Sequence, residues 1–208
     1  MKKYLDKLKK RLYFNKNLFV FLVVLVLVGV GAGSLFALIL SDTDKHLVST
    51  YLNKFLINIS KGDFYFDSVL NTLIFSLGFA LIIWIFGISL VGILLILPFL
   101  FIKSFVLGFG IGNILVNFKA RGILFSLIYI VPHNVINILI YILISAYAIM
   151  VSYRMLNCMK ERKSFDFKLY MNRYSFVLIF SFFVLIISSL YECFVLPYFM
   201  KFVVNLLK

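Results

Sequence analysis

Uncharged runs set the plan of this chain. Leu18 to Leu40 is 23 residues without a charge, enough to cross about 30 Å of bilayer hydrocarbon as a helix and too long for the core of a cleavable signal peptide. It reads as a retained first span. Val69 to Asn117 is 49 residues with one charge, Lys103; as helix it would extend about 73 Å, which predicts two crossings. The turn between them is placed between Gly87 and Gly92, with Trp84 near an interface. Gly122 to Met155, 34 mostly apolar residues, is interrupted by Val131-Pro132-His133-Asn134. A straight helix of that length would be about 51 Å long, more than one plain span requires. Ile123 to Val131 can rise only about 13 Å and Val135 to Met155 about 31 Å. The pattern therefore predicts either a long kinked helix or a short re-entrant piece followed by a full crossing, with Pro132, His133 and Asn134 at the joint. Ser175 to Leu196 is the last span.

The polar intervals have patterns of their own. In Ser41 to Asp67, Leu47, Val48, Tyr51, Leu52, Phe55, Leu56 and Ile59 recur at helical spacing, while Lys45, His46, Ser49, Thr50, Asn53, Lys54 and Asn58 take the other face. Thr43 or Asp44 is the expected cap and Gly62 the expected end. At about 16 to 18 residues, this amphipathic helix is expected to lie on the outer surface rather than cross. Residues 1–17 carry seven basic residues and one acid, with Leu5, Leu8 and Leu12 on one face. They read either as an amphipathic arm on the anionic cytoplasmic leaflet or as a solvated basic tail that sets orientation.

Charge then fixes orientation. Of 21 Lys and Arg residues, 13 lie in residues 1–17 and 154–173, so the net charge of +13 is a positive-inside signature rather than a nucleic-acid footprint. Five crossings from an inside N-terminus put the basic loop 157–173 inside, the 41–67 helix outside and the C-terminus outside. Three crossings satisfy the same charges, but five suit the lengths. The expected architecture is one all-α, integral membrane helical bundle of about five transmembrane helices, with one broken or re-entrant element and an outer amphipathic helix.

Candidate chemistry is sparse. Gly29 and Gly33 form a GxxxG pair in the first span, and Gly108 and Gly112 repeat it later; such residues let helices approach closely. Neither cluster is a dinucleotide fingerprint, since strand, glycine spacing and acidic partner are missing. Lys103 either snorkels, pairs with a polar group or faces a cavity. His133, Asn134 and Asn137 put imidazole and amide groups into a membrane-grade segment, either as a polar site between helices or as groups that satisfy freed backbone. Cys158 and Cys193 fall at opposite ends of predicted segments, so no disulfide framework or metal site is expected. No catalytic constellation, phosphate-binding loop or cofactor motif emerges, and the chain is expected not to be an enzyme.

Taken together, the basic arm, the glycine-bearing first helix, the outer helix, Trp84-Ile85-Phe86-Gly87, the Lys103 to Gly112 stretch and above all Val131-Pro132-His133-Asn134 resemble the stage II sporulation protein M family. Distant members show Pro-His-Gly with a glutamate three residues after the glycine; here those places hold Asn134 and Asn137. The resemblance implies a non-enzymatic membrane scaffold at the sporulation septum and the engulfing mother-cell membrane. Its implied partners are the peptidoglycan-degrading stage II sporulation proteins D and P, besides the lipid bilayer and a possible second copy of the chain. The rival reading is a small-solute transporter or channel subunit that uses the broken helix near Pro132.

Overall fold

A backbone in hydrocarbon must satisfy its own amides, so apolar runs of this length become helices. The computed structural model of the chain describes residues 2–61, 66–89, 91–126, 131–161 and 167–194, and side chains of 1–15 and of most of 52–69 lie outside that description. The described residues form six helices: α1 (Lys2–Ile39), α2 (Asp42–Lys61), α3 (Phe66–Ile88), α4 (Gly92–Phe125), α5 (Val131–Lys160) and α6 (Phe167–Phe194). Five stretches are long and apolar enough to cross a membrane: Lys16–Ile39, Leu70–Ile88, Gly92–Lys119, Val131–Lys160 and Tyr170–Glu192. Large apolar side chains such as Leu27, Phe75, Leu94, Ile102, Phe176 and Phe183 point outward from these helices. An apolar exterior of this kind suits lipid, not water. The protein is an all-α membrane bundle.

Several boundaries differ from those expected. The arm is continuous with the first span in the single helix α1. Ser41, rather than Thr43 or Asp44, caps α2: its hydroxyl accepts from the Asp44 amide at 3.3 Å and donates to the Asp44 carboxylate at 2.5 Å. Ser41 wins because it precedes the first helical residue, where the side chain can reach the third amide; Thr43 and Asp44 are already inside the helix. Gly62 and the apolar positions Leu52, Phe55, Leu56 and Ile59 fall outside the described residues or side chains. The stretch 157–173 is a shorter loop than its charge suggested, because α5 runs on to Lys160 and α6 begins at Phe167. Arg154 stacks its guanidinium 4.3 Å from the ring centre of Tyr170, joining these two helix ends.

The broken run is divided between two helices. Pro132, His133 and Asn134 are helical residues in the first turn of α5, not a linker. A first-turn proline lacks only an amide hydrogen that has no acceptor there anyway. The sharp change of direction comes earlier, at Lys119, whose φ of 51° and ψ of −132° depart from helix. A Cβ on Gly122 would stand 2.7 Å from the Ile114 carbonyl oxygen. Residues that far apart in one helix are separated by about 12 Å of rise. The chain has therefore doubled back after Lys119, and glycine at 122 leaves room for that approach. Residues 127–130, which join this piece to α5, are outside the described residues.

Packing centres on α4 and α5. α1 lies along α4, α3 and α5 pack on α4 and on each other, and α6 packs on α3 and α5, around a core of Leu22, Val26, Ala80, Ile83, Ile96, Leu100, Ile140, Ile144, Ala148 and Leu185. Tyr141 and Tyr174 are the largest fully buried side chains. Both use their hydroxyls to tie helices together, as follows.

Candidate functional site

Three arrangements of polar or small residues lie inside the bundle. The first is a seam between α1 and α4. A Cβ on Gly33 would meet the Phe105 carbonyl oxygen and come within 2.8 Å of the Phe109 nitrogen, and one on Gly29 would meet the Ser104 hydroxyl. From the other side, Gly108 lies against Val30 (2.6 Å to its Cα) and Gly112 against Ser34 (2.8 Å to its Cα). The four GxxxG glycines thus bring the two backbones into contact, whereas Gly31 and Gly110 face open space. Residue numbers rise together along the seam, so α1 and α4 run parallel. Ser104 satisfies its own hydroxyl on the Phe101 carbonyl at 2.8 Å.

The second arrangement grips the turn between α3 and α4. Ser152 of α5 donates to the carbonyl oxygens of Gly87 and Ser89, both at 2.9 Å, sharing one hydrogen between them. Tyr174 of α6 donates to the Trp84 carbonyl at 2.9 Å and stacks on the Trp84 ring at 5.5 Å. Gly87 is the close-approach point, since a Cβ there would meet Tyr174 Oη and lie 2.7 Å from Ala148 Cβ. A turn that lacks basic residues is held by protein rather than anchored in headgroups. The sequence placed this turn between Gly87 and Gly92, where it is found; Ser152 and Tyr174 were not singled out, since serine and tyrosine are ordinary membrane-helix residues.

The third arrangement lies at the opposite end of the bundle and runs inward from it. On α5, His133, Asn137 and Tyr141 recur every fourth residue on one buried face. His133 Nε2 stands 3.7 Å from Glu192 Oε2 of α6, and the Ser188 hydroxyl donates to the His133 carbonyl at 3.4 Å. Two turns further in, Tyr141 donates to the Ser76 carbonyl of α3 at 3.3 Å and meets Phe79 edge-on at 4.8 Å. Lys103 of α4 holds its ammonium 5.4 Å from the Phe79 ring centre and 5.9 Å from that of Tyr141, and its charge interacts with Glu192. Asn137 Oδ1, between these levels, is buried without a hydrogen-bond partner.

Lys103, His133 and Asn137 share this column; Pro132 and Asn134 flank His133 in the first turn of α5 and are half-buried; the four glycines form the separate seam. The polar residues near Pro132 have an ionisable partner on another helix, because Glu192 reaches His133 from the last turn of α6. Spacing along one helix carried no sign of that contact; a carboxylate inside an apolar run was the available signal. Among the described residues no group of three or more His, Cys, Asp or Glu could hold a metal ion.

These features define a polytopic helical membrane protein in which small residues and buried polar contacts join the spans. Residues 20–197 match the family Stage II sporulation protein M, and the chain belongs to that family. No curated protein and no solved structure matches it.

Proposed function

We propose that the protein is a non-enzymatic membrane scaffold of the septal peptidoglycan-remodelling machinery, acting in engulfment during endospore formation by recruiting and localising cell-wall hydrolases. Family membership supports the setting. The observation that carries the scaffold role is where the interior chemistry goes: Ser152, Tyr174, Tyr141, Ser188 and the His133–Glu192 pair each join one helix to another. The bundle is braced, while α2 touches little beyond α4 and leaves Leu47 and Tyr51 exposed. In this reading α2 lies on the outer surface, the piece after Lys119 is a re-entrant turn into the outer leaflet, and the lipid-facing spans receive single-span partners such as the stage II sporulation proteins D and P.

Deleting the gene is expected to block septal thinning and engulfment, and the tagged protein is expected to co-purify with those hydrolases. Engulfment at the normal rate in the deletion strain overturns the reading. The second reading, a small-solute transporter or channel subunit, draws on Lys103, Glu192 and His133 lying together inside the bundle. It predicts solute flux in proteoliposomes that His133→Ala or Asn137→Ala abolishes, where a scaffold gives none.

A further inference from the structure

Hydroxyl-to-carbonyl contacts suffice to brace a membrane bundle, and they add no charge to it. The Lys103, His133 and Glu192 column does something different, since ionisable side chains are costly within a bilayer and need a use. Lys103 lies about 16 Å along α4 from Gly92, roughly mid-membrane for a 30 Å hydrocarbon layer. Its ammonium lies against the Phe79 and Tyr141 rings, and the Glu192 charge acts on it. Glu192 is the more open partner of its pair, with 22% of its side chain exposed against 9% for His133. A partly exposed carboxylate thus stands beside the imidazole, and the charge of the ammonium further in acts on it.

We propose that His133, Glu192 and Lys103 form a proton-binding site, filled from the water at the end of the bundle that carries α2. One carboxylate faces the His133 imidazole and also feels the Lys103 charge. With Lys103 and Glu192 charged and His133 neutral the column has no net charge; one added proton makes it singly positive. The proton is received on the His133 imidazole, whose Nε2 faces Glu192 Oε2. Their separation of 3.7 Å is ion-pair range but longer than a hydrogen bond, so protonation gives a reason for the pair to close. Asn137 Oδ1, buried one turn further in on the same face, offers a second acceptor for a donor entering the column. Because Glu192 belongs to α6 and His133 to α5, the proton sets how firmly the outer end of α6 is held.

The charged groups around His133 are few. Among the described side chains, α6 contributes Glu192, α4 contributes Lys103 and the exposed Lys119 at its reversal, and α5 itself contributes Tyr141. α3 presents Ser76 and Phe79, which do not titrate. The one charged α1 side chain in the description, Lys16, lies at the far end. Imidazole is the side chain whose unperturbed titration falls in the physiological range.

The chain has two histidines, and His46 is exposed on α2, so it serves as an internal control. Full-length protein with nitrogen-labelled histidine, in lipid nanodiscs, is titrated from about pH 4 to 9 by imidazole NMR. Two titrating signals are expected. Glu192→Gln displaces the His133 midpoint by about one pH unit or more and leaves His46 in place. A His133 signal fixed in one protonation state across the range in the unmodified protein overturns the proposal, as does an unchanged midpoint in Glu192→Gln. If that variant does not fold, Lys103→Met supplies the perturbation, and an unchanged midpoint there has the same force.

Discussion

His133 Nε2 lies 3.7 Å from Glu192 Oε2, joining the first turn of α5 to the last turn of α6, and the charge of Lys103 on α4 interacts with the same carboxylate. Removing either Lys103 or Glu192 leaves the other partly buried with less opposite charge acting on it, which is costlier than losing both. Lys103→Met and Glu192→Gln are each expected to destabilise the protein by about 1–3 kcal/mol. The double variant is expected to recover about 1 kcal/mol or more relative to the sum. Unfolding of the purified protein in mixed detergent micelles measures the cycle, and strict additivity refutes a coupling.

The seam between α1 and α4 makes a contrast within one motif. Gly33→Ala and Gly108→Ala place a methyl against the backbone of the facing helix, and overpacking of that kind costs about 1–3 kcal/mol. Gly31→Ala and Gly110→Ala enter open space and are expected to be neutral or slightly stabilising, as alanine favours helix over glycine. The same unfolding assay compares all four. Equal effects at the four positions count against the seam.

At the α3–α4 turn, Ser152→Ala leaves the Gly87 and Ser89 carbonyls without their shared donor, and Tyr174→Phe leaves that of Trp84 without its own. Each loss is expected to cost about 0.5–1.5 kcal/mol. The stacked Trp84–Tyr174 pair is kept in Tyr174→Phe, so Trp84 fluorescence should hold its emission maximum. A stability loss beyond that range would mean the ring itself had moved.

Lys119 occupies a backbone region that side chains avoid, at φ 51°. Glycine enters it without a Cβ clash. Lys119→Gly is expected to stabilise the protein by about 1 kcal/mol, whereas Lys119→Val should destabilise it, read as shifts of the unfolding midpoint. A destabilising glycine would place the turn elsewhere.

Five crossings from an inside N-terminus assign Thr50 and Lys119 to the outer side and Ser89 to the inner. With Cys158 and Cys193 replaced by serine, single cysteines at 50 and 119 should react with an impermeant maleimide added to intact cells. A cysteine at 89 should react only after lysis. Labelling of 119 from the cytoplasmic side alone is incompatible with this topology.

Much was legible in the order of residues, and the departures have local causes. Ser41 displaced Thr43 and Asp44 as the cap because capping depends on which residue stands just before the first helical one. The Pro132 signal was real but belonged to a helix start, where proline is harmless, while the reversal fell at Lys119, within the short charged connection Phe118 to Gly122 that separates the apolar runs. Glu192 and Lys103 each stand alone in an apolar run, and the groups they meet lie on other helices.

What the sequence determined by itself is everything that follows from transferring a segment into lipid: the helical class, five spans of sufficient length, and the polar intervals that flank most of them. Those are properties of consecutive residues, set by the cost of exposing peptide groups and charges to hydrocarbon. Which residues meet was left to the tertiary structure. Once every span is apolar on all sides, the periodicity that marks a buried face in a soluble helix is lost. Pairing is then decided by close contact and shared hydrogens: Gly33 against Phe105, Ser152 on the Gly87 carbonyl, and His133 facing Glu192.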